Sequence, residues 1–499
     1  MRFVLIIIIL VVSYSCGGNK KVERKPNLSP IMEKALLDPG SEFYADFAQF
    51  PKEKKMLPIG VFDSGTGGLT VLEVLLSIDK MDNITGKPGS DGIADFEGEN
   101  FTYLSDRANM PYGNYAAEGK ENFFKELVIK DALFLLGNKY FFNHVDNEPL
   151  GIKEPSKILV VACNTATAYG LNDIKVLLDE SNTGVKVVGI INAGVNALFD
   201  ILKKEEEIQV PKKDSTAVGI LATPGTISSN VYERTIRESE IQKRYRGHIK
   251  VINQPGVGFA EAVDMERDFA DISLKFPRST YRGPRIGNGA YDIKLKMLPI
   301  YNFNYESNGI LINKLKDSIT DFQLNSASNY ARFDLVTLVE KHRMSGSTTP
   351  LKHVILGCTH YPFLLDTLNK VITELRKYSE NGIYKYRDII AEDFSFIDPA
   401  IYTAIECYNI LRANKELALR TVPGKLDAYI SVPVFGLDVD KLDGDGNLSY
   451  EFKYGRDYGT EDITTVFVPF SRRYITKENI DRIEETLPRS FKQIKNIID

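Results

Sequence analysis

The stretch Lys157-Ile-Leu-Val-Val-Ala-Cys163-Asn-Thr decides the fold, and Lys352-His-Val-Ile-Leu-Gly-Cys358-Thr-His echoes it 195 residues later. Each is an apolar run rich in β-branched residues and ended by small polar ones, the pattern of a central strand in a parallel sheet. Ligands of such sheets sit at the carboxyl ends of the strands, where both cysteines fall. Each cysteine also opens a predicted helix, and a thiol there has its thiolate favoured by the dipole and by free backbone N–H groups. Taken singly, Cys163 or Cys358 reads equally well as a small core residue. As a matched pair in two halves of a duplicated pattern, they point to joint chemistry on two sides of one substrate.

Outward from these runs, short apolar segments alternate with longer amphipathic ones from Leu57 on, which is the signature of βαβ units. Strands are predicted at Ile59 to Phe62, Phe101 to Leu104, Ile158 to Ala162 and Val185 to Ile190, with a helix over Ala117 to Leu136. A second series runs through Ala217-Val-Gly-Ile-Leu-Ala, Ile249-Lys-Val-Ile and Val354-Ile-Leu. The expected fold is α/β: two doubly wound parallel-sheet domains in pseudo-symmetric arrangement, with the active site between them. Domain A is expected over 57–192, completed by about 390–420, and domain B over 193–389. Residues 79–98 read as a surface insertion and about 268–330 as a second insertion, because neither holds a clear period. A C-terminal extension, 421–499, carries strand-like runs at Tyr429 to Phe435 and Thr464 to Phe470. Within it, Asp443-Gly-Asp-Gly-Asn-Leu resembles a calcium-loop core, but acidic Asp440 and Glu451 each miss the end ligand positions by one residue. A hairpin tip is the preferred reading.

The chain has 499 residues, 43% hydrophobic and 26% charged, enough for two or more domains with cores of their own. Its net charge of −5 and the lack of a basic run argue against nucleic acid as a partner. Met1-Arg2, an apolar run from Phe3 to Val12 and Ser13-Tyr-Ser-Cys16-Gly-Gly have the parts of a secretory signal, too short to span a bilayer. With Cys16 just past the cleavage site, residues 1–16 resemble a bacterial lipoprotein signal in which Cys16 is acylated. Ser13 and Tyr14 depart from the usual small-apolar pattern. Residues 17–55 read as a polar tether. The expected location is therefore the cell envelope, exported and held to the membrane through a lipid anchor. The remaining cysteines, Cys163, Cys358 and Cys407, are an odd number and do not look like a disulfide framework.

Other motifs surround the two thiols. Pro58-Ile-Gly-Val-Phe-Asp63-Ser64-Gly-Thr-Gly-Gly68 runs from a strand into a glycine-rich turn where backbone N–H groups can receive an anion. Pro111-Tyr112-Gly113 and Thr223-Pro-Gly-Thr226 say by themselves only turn and helix cap. In order, Phe62-Asp-Ser-Gly-Thr-Gly-Gly, Pro111-Tyr-Gly, Ala162-Cys-Asn-Thr-Ala, Ala222-Thr-Pro-Gly-Thr and Leu356-Gly-Cys-Thr-His-Tyr-Pro resemble the motif set of bacterial glutamate racemases, of the aspartate/glutamate racemase superfamily. Ile397-Asp-Pro-Ala resembles their late Ile-Asp element. The resemblance covers most of 57–410 and leaves out the signal, the tether and about the last 80 residues.

The resemblance implies a racemase with no cofactor and no metal, acting on a small amino acid, with a homodimer allowed for. Cys163 and Cys358 would be the catalytic bases, assisted by Asp63 and His360 respectively. Asp63, next to Ser64, would meet the substrate ammonium. Asn164, Thr165 and Thr359 would hold the α-carboxylate, and Tyr112, Gly113, Thr223 and Thr226 would complete the pocket. Supply of D-glutamate to peptidoglycan is the family's task. One departure is that Ile191-Asn-Ala-Gly stands where the family has a proline-containing turn after Val187-Val-Gly-Ile.

The chemistry suits the residues independently of kinship. Inverting an α-carbon removes a proton from one face and returns one to the other, which two opposed bases do directly. A thiol with an ordinary pKa of about 8.5 can wait as either thiolate or thiol. Two sulfurs flanking Cα would stand roughly 7 Å apart, too far to bond to each other. Aspartate or another amino acid is the alternative substrate. A non-catalytic amino-acid-binding lipoprotein is the alternative from another class, and a thiol-disulfide protein is weak for lack of a Cys-x-x-Cys arrangement.

Overall fold

The computed structural model describes residues 28–208, 215–287, 289–418, 422–460 and 463–498; the apolar amino terminus and Cys16 lie outside them. The strands of its two large sheets are, in chain order, β1 (Ile59–Asp63), β2 (Phe101–Ser105), β3 (Ile158–Val161), β4 (Lys186–Gly189), β5 (Thr216–Ala222), β6 (Ile249–Pro255), β7 (Leu351–Gly357), β8 (Ile390–Ile397), β9 (Leu426–Pro433) and β10 (Thr465–Pro469). The first sheet has the order β10-β9-β2-β1-β3-β4 and the second β8-β7-β5-β6. Every pairing is parallel except that of β10 with β9. β1 is buried at all five positions, as a parallel strand covered on both faces must be.

In both sheets the chain order reverses about a pivot strand. β1 has β2 on one side and β3 on the other, and β5 has β6 on one side and β7 on the other. A crevice opens outside the carboxyl ends at each such reversal, which is where this class of sheet binds ligands. The register sets the side chains that meet there. Phe62 lies opposite Val161, so Asp63 and Cys163 leave their strands close to one level. Ala222 lies opposite Gly357, which does the same for Thr223 and Cys358.

The expected completion of domain A by 390–420 needs correction, because that segment divides. β8 pairs with β7 in the second sheet, with Ile397 opposite Ile355, whereas the helix Ala400–Ala413 packs on Leu69–Ser77 and Ile190–Ile208 beside the first. Ala404, Cys407, Tyr408 and Leu411 face the apolar core there, and that buried stripe fixes the helix's side. The helix Ile190–Ile208 runs straight across the expected boundary at 192/193 in place of a proline-containing turn.

The C-terminal extension is built into the first sheet. β9 pairs in parallel with β2, and β10 closes the edge. The insertion near 268–330 carries a hairpin, Ile310–Leu315 with Ser318–Leu324, whose Phe322 and Leu324 join Tyr281, Ile293 and Phe303 in the core of the second domain. The predicted helix over 117–136 forms as Asn114–Ala117 and Glu121–Leu136, separated by a turn with Gly119 at φ +68°. At 443–447, Asp443 accepts from the backbone N–H groups of Asp445 and Asn447, both at 2.9 Å, below a bridge between Leu442 and Leu448. That is a hairpin tip whose carboxylate is occupied by its own turn. Among the described residues no helix is long and apolar enough to cross a membrane.

Candidate active site

The carboxyl ends of the two sheets meet around one cavity of about 20 Å³. Asp63, Ser64, Tyr112, Gly113, Cys163, Asn164, Thr165, Thr223, Cys358, Thr359 and His360 all line it. Thr226 stands just behind, its hydroxyl 3.1 Å from that of Thr165 and 3.0 Å from that of Thr223. Thr223 caps the short helix Pro224–Ser228, and its own hydroxyl lies 2.8 Å from Thr165. Three hydroxyls thus tie the first turn of one domain's helix to the first turn of the other's. Tyr232 adds a second tie by donating to Asn164 Oδ1 at 2.6 Å.

The two thiols have different partners. Cys163 is the N-cap of the helix Asn164–Ser181, and its Sγ accepts from the Ala166 N–H at 3.5 Å. Burial pushes its thiol well up, and the neighbouring Asp63 carboxylate adds to that rise. Cys358 lies 3.6 Å from Nδ1 of His360. Burial raises this thiol too, but His360 pulls against it. Burial also raises Asp63, against the lowering effects of His360 and of the Thr359 hydroxyl, which donates to Asp63 at 2.9 Å.

Behind His360 stands Asp264, which sequence reasoning did not single out. His360 Nε2 is 3.1 Å from its carboxylate, and the Thr66 hydroxyl donates to the other oxygen at 2.6 Å. Burial opposes charge on both groups, yet their attraction prevails: His360 is held well above the ordinary histidine range and Asp264 well below the usual carboxylate range. Glu261 was also missed. It lines the cavity, and burial pushes its carboxyl up to about 7. Both acids follow β6 in Gly258-Phe-Ala-Glu-Ala-Val-Asp264, so their place after a strand of the second series was the signal available.

The glycine-rich turn serves close packing. A Cβ on Gly67 would come within 2.5 Å of the His360 ring, and one on Gly65 within 2.4 Å of Asp264. Tyr112 lines the cavity, and its hydroxyl is shared between two buried carboxyls, 2.5 Å from Asp106 and 2.7 Å from Asp131. Among the described residues, two buried polar atoms that line the cavity have no hydrogen-bond partner: Asp63 Oδ1, an acceptor, and Asn164 Nδ2, a donor. Buried polar groups are rarely left so, and an amino acid's ammonium and carboxylate are the complementary pair. Among the described residues no group of three or more His, Cys, Asp or Glu could hold a metal ion.

Sheet order and site together define a class: two-domain α/β proteins that enclose a small ligand between the carboxyl ends of two parallel sheets, with a cysteine on each wall. Comparison with known proteins gives a narrower likeness. The chain is 23% identical to the glutamate racemase of Clostridium novyi over 376 residues, 75% of this chain and 92% of that one. It is 33% identical to that of Oceanobacillus iheyensis over 187 residues, 37% of this chain and 48% of that one. The solved structure of glutamate racemase isoform RacE1 from Bacillus anthracis aligns at 22% identity with a TM-score of 0.40, over 75% of this chain and 88% of that one. No family model matches. The several curated matches support homology to glutamate racemases.

Proposed function

We propose that this protein is an amino-acid racemase that interconverts L- and D-glutamate, with Cys163 and Cys358 as opposed bases. The observation that carries the reading is that two thiols from equivalent strand ends of two domains share one cavity with an unsatisfied acceptor, Asp63 Oδ1, and an unsatisfied donor, Asn164 Nδ2. The acceptor suits an ammonium and the donor a carboxylate, which leaves Cα between the sulfurs.

In this reading His360, charged through Asp264, opposes the rise that burial imposes on the Cys358 thiol, so Cys358 gives up its proton more readily, while Cys163 waits as the thiol beside Asp63. The Cys358 thiolate takes the Cα proton, the electron pair passes into the α-carboxylate, and the Cys163 S–H returns a proton to the opposite face. Turnover leaves Cys358 as thiol and Cys163 as thiolate, the arrangement needed to convert the other enantiomer. A cavity of about 20 Å³ holds only one or two water molecules, so the domains must part to admit glutamate. Incubation of either enantiomer in deuterium oxide without added cofactor should bring it toward a racemic mixture that carries deuterium at Cα. Unchanged optical rotation for both glutamate and aspartate, with folded and reduced protein, would favour the binding-module reading.

The place of work is also proposed: export through the signal at 1–16 and a lipid on Cys16 would set the enzyme at the envelope, near peptidoglycan. The expected tether over 17–55 needs correction in its described part, because the helix Pro30–Leu37 buries Ile31, Met32 and Ala35 against the helices Glu121–Leu136 and Asn164–Ser181 of the first domain.

A further inference from the structure

The C-terminal extension reaches the site through the helix Lys477–Thr486. Two of its side chains converge on the carbonyl end of the short helix Phe259–Val263, the element that carries Glu261 and leads into Asp264. Asn479 donates to the Asp264 carbonyl at 3.0 Å, and Arg482 Nη1 donates to the Val263 carbonyl. Arg482 Nη2 reaches the Asp264 carboxylate at 3.3 Å and Asn479 Oδ1 at 2.6 Å, with the guanidinium 4.9 Å from the Phe363 ring centre. Asn479 and the Asp264 side chain are fully buried, and the Arg482 side chain is 19% exposed. A buried arginine with a planar fork is an expensive group to desolvate, and here it is spent on the last carbonyls of a helix and on a single carboxylate.

That carboxylate has one other charged partner at hydrogen-bond distance, His360, and His360 faces Cys358. We propose that Arg482, with Asn479, is a positioning residue for the Cys358 side of the site: the C-terminal helix fixes the Phe259–Val263 turn and the Asp264 carboxylate, and through Asp264 it aims His360 at the Cys358 sulfur. This rests on the reading of Cys358 as a base, and it gives the extension a part in the chemistry although Arg482 touches neither thiol. Cys163, which caps its own helix beside Asp63, lies outside this chain of contacts. The effect is therefore one-sided.

The test is site-resolved alkylation of the purified full chain by iodoacetamide, read by mass spectrometry over a range of pH. Both thiols open onto one cavity, so the ratio of their rates cancels changes in access. The charged and titrating groups that bear on Cys358 and His360 are Asp63, Cys163, Glu261 and Asp264, with Arg107 and Arg482 acting through Asp264, and Tyr232 and Tyr361 beside the sulfur. In the unaltered protein Cys358 should react faster than Cys163 at neutral pH. Arg482→Met should lower the Cys358 to Cys163 ratio about tenfold, which corresponds to about one pKa unit, and Arg482→Lys should restore part of it. A ratio unchanged in folded Arg482→Met, or rates that fall equally for both thiols, would overturn the proposal. If Arg482→Met does not fold, Asn479→Ala and Arg482→Lys decide on the same ratio. A selective fall in a protein that racemises no amino acid would leave the positioning role standing and remove the racemase reading instead.

Discussion

Cys163 and Cys358 answer to each other across the cavity, but each is tuned by different neighbours, and single substitutions should separate them. If the two thiols are the opposed bases, racemisation needs both, so Cys163→Ser and Cys358→Ser should each lose it by roughly 10³-fold or more, as for members of one catalytic unit. Removal of a proton from one face needs only one. With a glutamate analogue bearing a β leaving group, each variant should retain elimination from one enantiomer, and from opposite ones. Retention of wild-type racemisation in either variant would reject the two-base assignment. The Asp264 and His360 pair makes a second, pH-dependent case. A histidine raised on folding contributes stability that is full below its unfolded pKa, about 6.5, and is lost as pH rises through the higher folded value. The depressed Asp264 contributes above its unfolded value near 3.8, and that contribution is lost as pH falls through the folded one. His360→Asn should thus be most destabilising in denaturant melts near pH 5–6 and progressively less so in alkali. A penalty that grew with pH would show that His360 is neutral in the fold.

At the scale of the element, the strand–turn–helix junctions were readable because each announces itself locally: an apolar run, then small polar residues. The pairing of Cys163 with Cys358 follows from that and from the repeat of the pattern, whereas Asp63 is singled out only by the resemblance to the racemase motif set. Asp264 carries no local mark of its role, since Asn479 and Arg482 lie 215 and 218 residues further on and come to it only when the chain has folded. The segment 390–420 reads in sequence as one unit completing domain A for a related reason: an edge strand, Ile390–Ile397, is followed at once by a helix that crosses to the other domain. The glycine-rich turn had a recognisable pattern whose purpose was not recognisable. Gly67→Ala should cost about 1–3 kcal/mol and most of the activity, because its methyl meets the His360 ring. Gly444→Ala, with nothing within 4 Å of the added carbon, should stay within about 0.5 kcal/mol in the same melts. Equal effects at the two positions would mean that the turn yields freely.

For the whole molecule, two parallel sheets with the site between them were legible from two strands and their duplication. The true extent of the first sheet was not, because β9 joins β2 from 325 residues further along the chain, Leu426 opposite Phe101, and brings β10 with it. A sheet completed from so far along the chain makes the extension part of the domain's core, whereas the helix Pro30–Leu37 near the other end packs on the outside of that domain, with Ile31, Met32 and Ala35 buried against it. Cys16→Ala should accordingly release the protein from the membrane fraction, or stop its processing, while leaving the melting temperature of the purified chain unchanged. Recovery of full-length protein beginning at Met1 in the cytosol would rule out the anchoring reading.

The ties across the cavity, Tyr232 to Asn164 and the hydroxyls of Thr165, Thr223 and Thr226, latch the two domains together over the site. A molecule that rests closed presents its binding-competent form as a minority, and its apparent affinity is its intrinsic affinity scaled down by that fraction. Weakening the latch should therefore make substrate capture easier and catalysis poorer at once. Tyr232→Phe, which removes one hydrogen bond and nothing else, should lower KM and lower kcat with it; a fall in kcat with KM unchanged would show that the resting enzyme is already open.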